Sequence, residues 1–358
     1  SWKVEYIIYN QLIATRYYIL GTKLQGVKVS DLFLCVFIPV LVMVTVREVA
    51  DNYETIWNVL RLLSVVVLII GFLPIILPRG SEAEYIDKSG WRLGWERYYY
   101  IPYIGQISLT ATGLGTALGR TPPILLAYIL SRSKKVPIFE VIVLCLSVGL
   151  LLLSGTRAGW AGTIVGTIIV FSYFVIKEKR KNFLKFLIII ILGSMVLYFM
   201  RFAVSETIME RVTSKQFDMT FNNSLSKWIV GFNYALSNPL GIGYTYYLVS
   251  WRGALTNPHN LFIDIAFGAG LAGLVSFFVY LFSRCILLLK FVLTQKGELG
   301  ALSIGILSFL ISSILTGMAN DDIAMKWLYL TWWIGFGCIE SLKYQYRNLQ
   351  KLDSIQTE

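Results

Sequence analysis

Hydrophobic runs recur along this chain with short polar breaks between them. They fall at about 31–47, 57–77, 107–130, 137–154, 158–176, 183–203, 260–283, 299–317 and 324–341. Runs of about 17–25 apolar residues are what an α-helix needs to cross a hydrocarbon core of roughly 30 Å. The pattern therefore predicts an all-α integral membrane protein, a polytopic helical bundle of about 9–10 transmembrane helices. The tenth span is expected near residues 4–21, where Trp2–Leu20 is apolar but interrupted by Arg16. An interfacial helix or the remains of a longer N-terminus fits that stretch as well. No segment alternates polar and apolar residues over the ten or so positions of a membrane β-strand.

Composition agrees: 56% of the 358 residues are hydrophobic and 15% are charged. The net charge of +11 would suit a nucleic-acid binder, but its placement argues against one. The basic residues gather in short loops, at Arg132–Lys135, Lys177–Lys185, Arg284–Lys296 and in the C-terminal tail. Lys and Arg accumulate on the cytoplasmic side of membrane proteins. Two spans separate each basic loop from the next, so all four can lie inside, with the C-terminus cytoplasmic. The outer face then holds residues 81–97, 154–160, 203–258 and 318–323. A tenth span would bring Lys3, Arg16, Lys23 and Lys28 into the same scheme. The four cysteines lie in or beside spans and indicate neither a disulfide framework nor a CxxC metal site.

One outer connection is long. Residues 203–258 form a loop within the single membrane domain, and long loops in compact architectures are usually functional. Inside it Leu225, Trp228, Ile229, Phe232 and Leu236 recur at helical spacing, with Asn222, Asn223 and Ser224 as N-cap candidates. The helix should end at "NPLGIG", where Pro239 and two glycines break it. Such a helix lies on the membrane surface or caps a cavity. A folded spacer would show the same pattern.

Few side chains could do chemistry. His259, the only histidine, stands in "NPHNLFIDIAFGAGLAG". Asn257 is expected to cap a helix with Pro258 at its first position, placing His259 and Asn260 in the first turn. The positive helix end there favours an anion and keeps imidazole neutral, ready to accept a proton. Asp264 follows four residues after Asn260, on a similar face. A carboxylate inside a span is costly and is by default a functional candidate. A polar histidine at an ordinary interfacial helix end is the plainer reading. "SGTRAGW", residues 154–160, is a tight outer turn from which Arg157 projects. Its forked guanidinium suits phosphate oxygens, though an arginine reaching for headgroups would look alike. Arg120 sits midway along an apolar segment broken by Gly119, Pro122 and Pro123, either lining a polar cavity or standing in an ordinary loop between two short half-segments. Arg211 and Arg252 are further outer cations, and Asp321 with Asp322 reads as a solvated turn. No metal constellation, P-loop, GxGxxG or Ser-His-Asp motif appears, so no cofactor is expected.

Taken in order, the "SGTRAGW" turn, the "NPLGIGY" of the long loop and "PHNLFIDIAFGAGLAG" resemble the O-antigen ligase and polymerase superfamily. The likeness covers roughly 105–285. It implies a class C-like glycosyltransferase fold in a bacterial inner membrane, with its active face periplasmic. It also implies transfer of a glycan from an undecaprenyl-diphosphate carrier to a hydroxyl, either of a sugar or of lipid A core, without added metal. By the resemblance Arg157 matches the turn arginine, His259–Asn260 the histidine-asparagine pair, Asp264 the polar position five residues on, and Gly270 and Gly273 the glycines that follow. The chain departs from the pattern at Ser224, where an arginine often precedes the loop tryptophan, and at Gly268, where an acidic residue is common.

In that scheme Arg157, Arg120 and Arg211 bind the diphosphate and Asn260 holds donor or acceptor. His259 takes the proton, and Asp264 fixes the tautomer of His259 or the neighbouring helix. Displacement at the anomeric carbon would invert it. A repeat-unit polymerase is favoured over a ligase because the arginine beside the loop tryptophan is missing. A transporter of lipid-linked sugars remains the reading from another class, although no internal repeat is seen.

Overall fold

The computed structural model describes residues 37–76, 98–101, 105–108, 110–132, 136–178, 198, 216–241, 249–251, 254–256, 259–319 and 326–356. The expected spans at 183–203 and near 4–21, together with Arg211, Arg252, Asp321 and Asp322, lie outside them. The protein is all-α and multi-pass, with two short antiparallel ribbons in the connections: β1 (Tyr98–Ile101) with β2 (Gly105–Ser108), and β3 (Val249–Trp251) with β4 (Ala254–Thr256). The helices are α1 (Ile38–Val49), α2 (Tyr53–Ile76), α3 (Ala111–Arg120), α4 (Pro122–Ser131) and α5 (Ile138–Ser154). They continue with α6 (Arg157–Glu178), α7 (Gln216–Ser237), α8 (Leu261–Thr294), α9 (Gly297–Gly317) and α10 (Lys326–Gln356). Among the described residues α2, α6, α8 and α9 are long and apolar enough to cross a membrane, and α5 is a shorter apolar helix.

The chain forms two compact units, one of Ser1–Val42, Ser214–Ser283 and Gly317–Leu330, the other of Met43–Thr213, Arg284–Thr316 and Thr331–Glu358. In the second unit the expected span at 107–130 is a broken helix, α3 and α4 joined at Thr121. The break follows from Pro122 and Pro123, whose missing N–H groups would leave the carbonyls of Leu118 and Gly119 without helical donors. Hydroxyls replace them: Thr121 Oγ1 donates to the Leu118 carbonyl at 3.5 Å, and Thr163 Oγ1 on α6 donates to Gly119 O at 3.0 Å. In a bilayer such repair is obligatory, because no water is there to do it.

Thr163 can reach because α3 and α6 touch backbone to backbone. A Cβ on Gly159 would lie 2.2 Å from Gly115 O, and one on Gly119 would lie 2.5 Å from Gly159 O. Small residues at helix crossings are how membrane helices gain contact without a hydrophobic drive. The turn between α5 and α6 is fixed in turn: Gly155 takes a left-handed φ of 62° and donates to Leu152 O at 3.0 Å, and Thr156 Oγ1 donates to Ala111 O at 2.8 Å.

Charged side chains collect at the ends of this unit. Arg61 pairs with the buried Glu140 and Arg132 with Glu54, and both guanidinium groups lie over the Tyr128 ring, at 4.7 and 4.5 Å. Lys177 Nζ donates to Leu293 O at 2.8 Å, so the ends of α6 and α8, two of the basic segments assigned to one side, do meet.

In the first unit α8 corrects the expected single span at 260–283. Gly270 breaks it, with φ 75° and ψ −179°. The rings of Phe262 and Phe278 stack at 5.1 Å. Sixteen residues along a straight helix would separate them by about 24 Å at 1.5 Å per residue. The chain therefore folds back on itself at Gly270, as a short arm 261–269 against a long arm 271–294. Val275, Val279, Phe282, Ile286, Leu289 and Leu293 are exposed at helical spacing along the long arm, as a lipid-facing stripe. The long arm is the crossing element. The hydrophobic pattern could not show the bend, because both arms are apolar.

The bend is held by the end of the outer-loop helix α7. That helix starts at Gln216, well before the expected caps at Asn222–Ser224, and ends where expected, at Asn238 and Pro239. Gly241 (φ 77°) and Gly270 meet there: a Cβ on Gly241 would lie 2.4 Å from Gly270 N, and one on Gly270 would lie 2.5 Å from Pro239 O. Leu271 N donates to Pro239 O at 2.9 Å.

Replacing Gly159 with valine should lower the thermal stability of the purified protein by about 2 kcal/mol or more, because the overpacked atom is backbone and cannot turn aside. Melting in detergent, followed by intrinsic fluorescence, checks this; an unchanged midpoint would show that α3 and α6 do not touch there.

Candidate functional site

His259 immediately precedes the short arm of α8. Its backbone is left-handed, with φ 51°, and among the described residues it is the one non-glycine at positive φ. Such a conformation is uncommon outside glycine and is held only where the surroundings over-determine it. Asn260 supplies that hold. Its Oδ1 accepts from the backbone N–H groups of Phe262 (3.0 Å) and Ile263 (3.2 Å), and its Nδ2 donates to Met318 O at 3.0 Å. The helix therefore begins at Leu261, with Asn260 as cap, three residues later than expected; Asn257 and Pro258 lie outside the described residues. His259 stands before the helix and not within its first turn. The side chain of Asn260 satisfies the second and third helical N–H groups, the usual task of an N-cap. Its carbonyl takes the fourth through Asp264 N, at 2.9 Å.

Asn260 and Asp264 are 5% and 6% exposed, while His259 is exposed. A carboxylate in the first turn of a helix is favoured by the dipole, which gives Asp264 a structural reason to be there. Its burial beside the histidine turn keeps it a candidate for more.

Helix α7 packs on the short arm. Tyr234 stacks on Phe267 at 4.7 Å and joins Ile263 in a buried cluster, with Trp228 and Val230 against it. The other face of α7 presents Leu225, Ile229, Phe232 and Leu236, all exposed. The expected helix is present, but Trp228, grouped with these four in the sequence, packs against the buried cluster instead. Burial holds the Lys227 ammonium below its ordinary lysine range. Between α7 and the two arms lies a cavity of about 350 Å³ whose lining includes Asn260, Trp228, Phe262 and Phe278.

The arginines belong to the second unit. Arg157 is the first residue of α6 and is half-buried. A cation at the positive end of a helix is opposed by the dipole, so helix stability does not explain it. Arg120 is the last residue of α3 and 1% exposed. Its Nε donates to Thr316 Oγ1 at 3.0 Å and its Nη1 to Thr331 Oγ1 at 2.9 Å, with the Trp332 ring 5.6 Å away. Both threonines and the indole went unnoticed in the sequence, since nothing local points to residues about 200 positions away. The structure thus joins His259, Asn260 and Asp264 in one unit and holds Arg157 and Arg120 in the other. Arg211 lies outside the described residues.

Residues 142–278 match the protein-family model described as O-antigen ligase. That interval runs from α5 through the histidine turn and the bend, and includes Arg157, His259, Asn260 and Asp264. The match over this segment supports a likeness to the O-antigen ligase/polymerase superfamily. No curated protein matches the chain. The match supports an O-antigen ligase- or polymerase-type function in general. Arg120 lies before the matched interval.

Replacing Asn260 with alanine should cost about 1 kcal/mol for the cap alone, and more for the lost bond to Met318. Aspartate can still cap but cannot donate to a carbonyl, so Asn260→Asp should fall between wild type and alanine. Thermal midpoints of the three proteins check the order; equal midpoints would show that Asn260 does not anchor the turn.

Proposed function

We propose that this protein transfers a glycan from an undecaprenyl-diphosphate carrier to a sugar hydroxyl, on the periplasmic or extracellular face of a bacterial inner membrane. Its product is a lengthened O-antigen, capsule or exopolysaccharide chain. The observation that carries the reading is the strained backbone of an exposed, solitary histidine, fixed by a buried asparagine at the mouth of a helix. A general base needs a fixed position and access to its substrate, and His259 has both.

His259 accepts the proton of the attacking hydroxyl. The oxygen forms a bond to the anomeric carbon as the bond from that carbon to the phosphate oxygen breaks, and the electron pair leaves with the diphosphate. Displacement from the opposite face inverts the centre. The diphosphate is already a good leaving group, so the protein's task is to stabilise the charge that builds on it. In this reading Arg157, Arg120 and Arg211 take that role. Asn260 is a positioning residue, and Asp264 orients the histidine turn. The reaction proceeds in this reading without a metal ion.

The polymerase reading draws on Ser224, an uncharged residue one turn before Trp228 on α7. The family's description as O-antigen ligase favours the second reading, transfer of the finished chain to lipid A core.

Purified protein given a defined undecaprenyl-diphosphate oligosaccharide should build a ladder without lipid A core, with inverted linkages by NMR. Transfer only when core is present would replace polymerase with ligase, and a retained configuration would remove direct displacement. His259→Ala should lower turnover by roughly 10²–10⁴-fold with an unchanged melting midpoint. Full activity in that variant would end the proton-acceptor role. Arg157→Lys keeps the charge but loses the fork, and should lower kcat/KM by about tenfold; wild-type kinetics would free Arg157 from the diphosphate.

A further inference from the structure

Arg120 joins two places in the chain that the proton transfer does not explain. Its Nε donates to Thr316 Oγ1 at 3.0 Å and its Nη1 to Thr331 Oγ1 at 2.9 Å. Thr316 is the last residue but one of α9, and Thr331 lies in the second turn of α10. The chain leaves the second unit just after Thr316 and re-enters it at Thr331. One guanidinium therefore gathers both ends of the excursion 317–330.

These bonds are built to hold. Arg120, Thr316 and Thr331 are all buried. A hydroxyl has one proton, and Thr316 gives its own to Ser313 O at 3.2 Å, which leaves its lone pairs to the cation. Hydrogen bonds from a cation are roughly twice as strong as neutral ones, and burial strengthens them further. A cation at the last turn of α9 is also favoured by the dipole of that helix.

The excursion starts at the histidine turn's anchor. Two residues after Thr316, Met318 O accepts from Asn260 Nδ2 at 3.0 Å. Only Gly317, the end of α9, stands between threonine and carbonyl, so the carbonyl cannot move independently of the clamp. The Oδ1 of the same amide caps the short arm of α8, and His259 is its neighbour. Resting on the reading of His259 as proton acceptor, we propose that Thr316 and Thr331 are positioning residues. Clamped by Arg120, they fix the Met318 carbonyl, and with it the Asn260 cap that sets His259 against the reacting hydroxyl. This task is separate from the charge that Arg120 lends to the diphosphate.

The test uses the whole protein in lipid nanodiscs, purified through a histidine-free tag and grown with ring-¹³C histidine. Because His259 is the only histidine, a single imidazole signal reports this turn alone. Thr316→Val removes the hydroxyl and keeps the shape. It should move or split that signal and lower kcat roughly tenfold, with the donor KM within about twofold. Thr331→Val should act in the same direction. Thr316→Ser, which restores the hydroxyl, should keep the native signal and turnover. Ser303→Ala, which deletes an equally buried hydroxyl bonded to Leu299 O within α9, should keep both as well. His259→Ala combined with Thr316→Val should turn over as His259→Ala alone does, because the clamp acts through the imidazole.

A native imidazole signal in folded Thr316→Val, or losses that multiply in the double variant, would overturn the proposal. Should the valine variants misfold, Thr316→Ser decides: a native signal supports the hydroxyl clamp, and a displaced one traces the effect to the methyl group and ends it. Full turnover in His259→Ala would remove the proton-acceptor reading instead, while the imidazole signal would still judge the clamp.

Discussion

The first compact unit depends on one backbone contact, the seat of Pro239–Gly241 in the break at Gly270. A helix broken inside an apolar stretch leaves backbone groups without partners, and in a membrane that costs several kcal/mol per group. Here the turn at the end of α7 supplies a carbonyl to Leu271 N and comes so close that neither glycine could carry a side chain. Positive φ at both glycines makes the same demand independently. The contact therefore does two jobs: it closes the bend, and it ties the long outer loop to the arm that begins at the histidine turn.

From that bend the rest of the unit follows. Folding 261–269 back against 271–294 brings Phe262 onto Phe278 and opens an apolar cavity between the arms and α7. The short arm then starts at Asn260, whose amide is consumed by the cap and by Met318. His259 is left in a left-handed conformation with its ring exposed. Its backbone is fixed on an arm that is held at both ends. The second unit reaches rigidity by another route, with glycines that let α3 and α6 touch and hydroxyls that repair two prolines. That packing fixes the turn carrying Arg157 and buries Arg120.

Much of this was legible in the sequence, and for identifiable reasons. Burial in lipid writes itself as long apolar runs, so α2, α5, α6 and α9 fall within a few residues of their expected places. Pro239 and its glycines marked the end of α7, and the "SGTRAGW" stretch the tight turn that carries Arg157. The bend at Gly270 was not legible. The residues around it, Gly268 to Gly273, are small and apolar, and a continuous helix accommodates them equally well; only the partner turn, some thirty residues earlier, selects the fold-back. The helix start was misread for a related reason. Asn260 caps the helix and is also bonded to Met318, a partner that no local pattern shows. The cradle of Arg120 depends on Thr316 and Thr331, which no local pattern connects to it.

The bend at Gly270 can be measured directly. Cysteines placed at Phe262 and Phe278 in the membrane-embedded protein, treated with a short bifunctional thiol cross-linker and mapped by mass spectrometry, should be joined, because the rings they replace stack at 5.1 Å. A straight helix would hold those cysteines about 24 Å apart, beyond the reach of a short cross-linker. A linked peptide supports the folded-back arm and the histidine turn at its base; two free thiols in folded protein would contradict both.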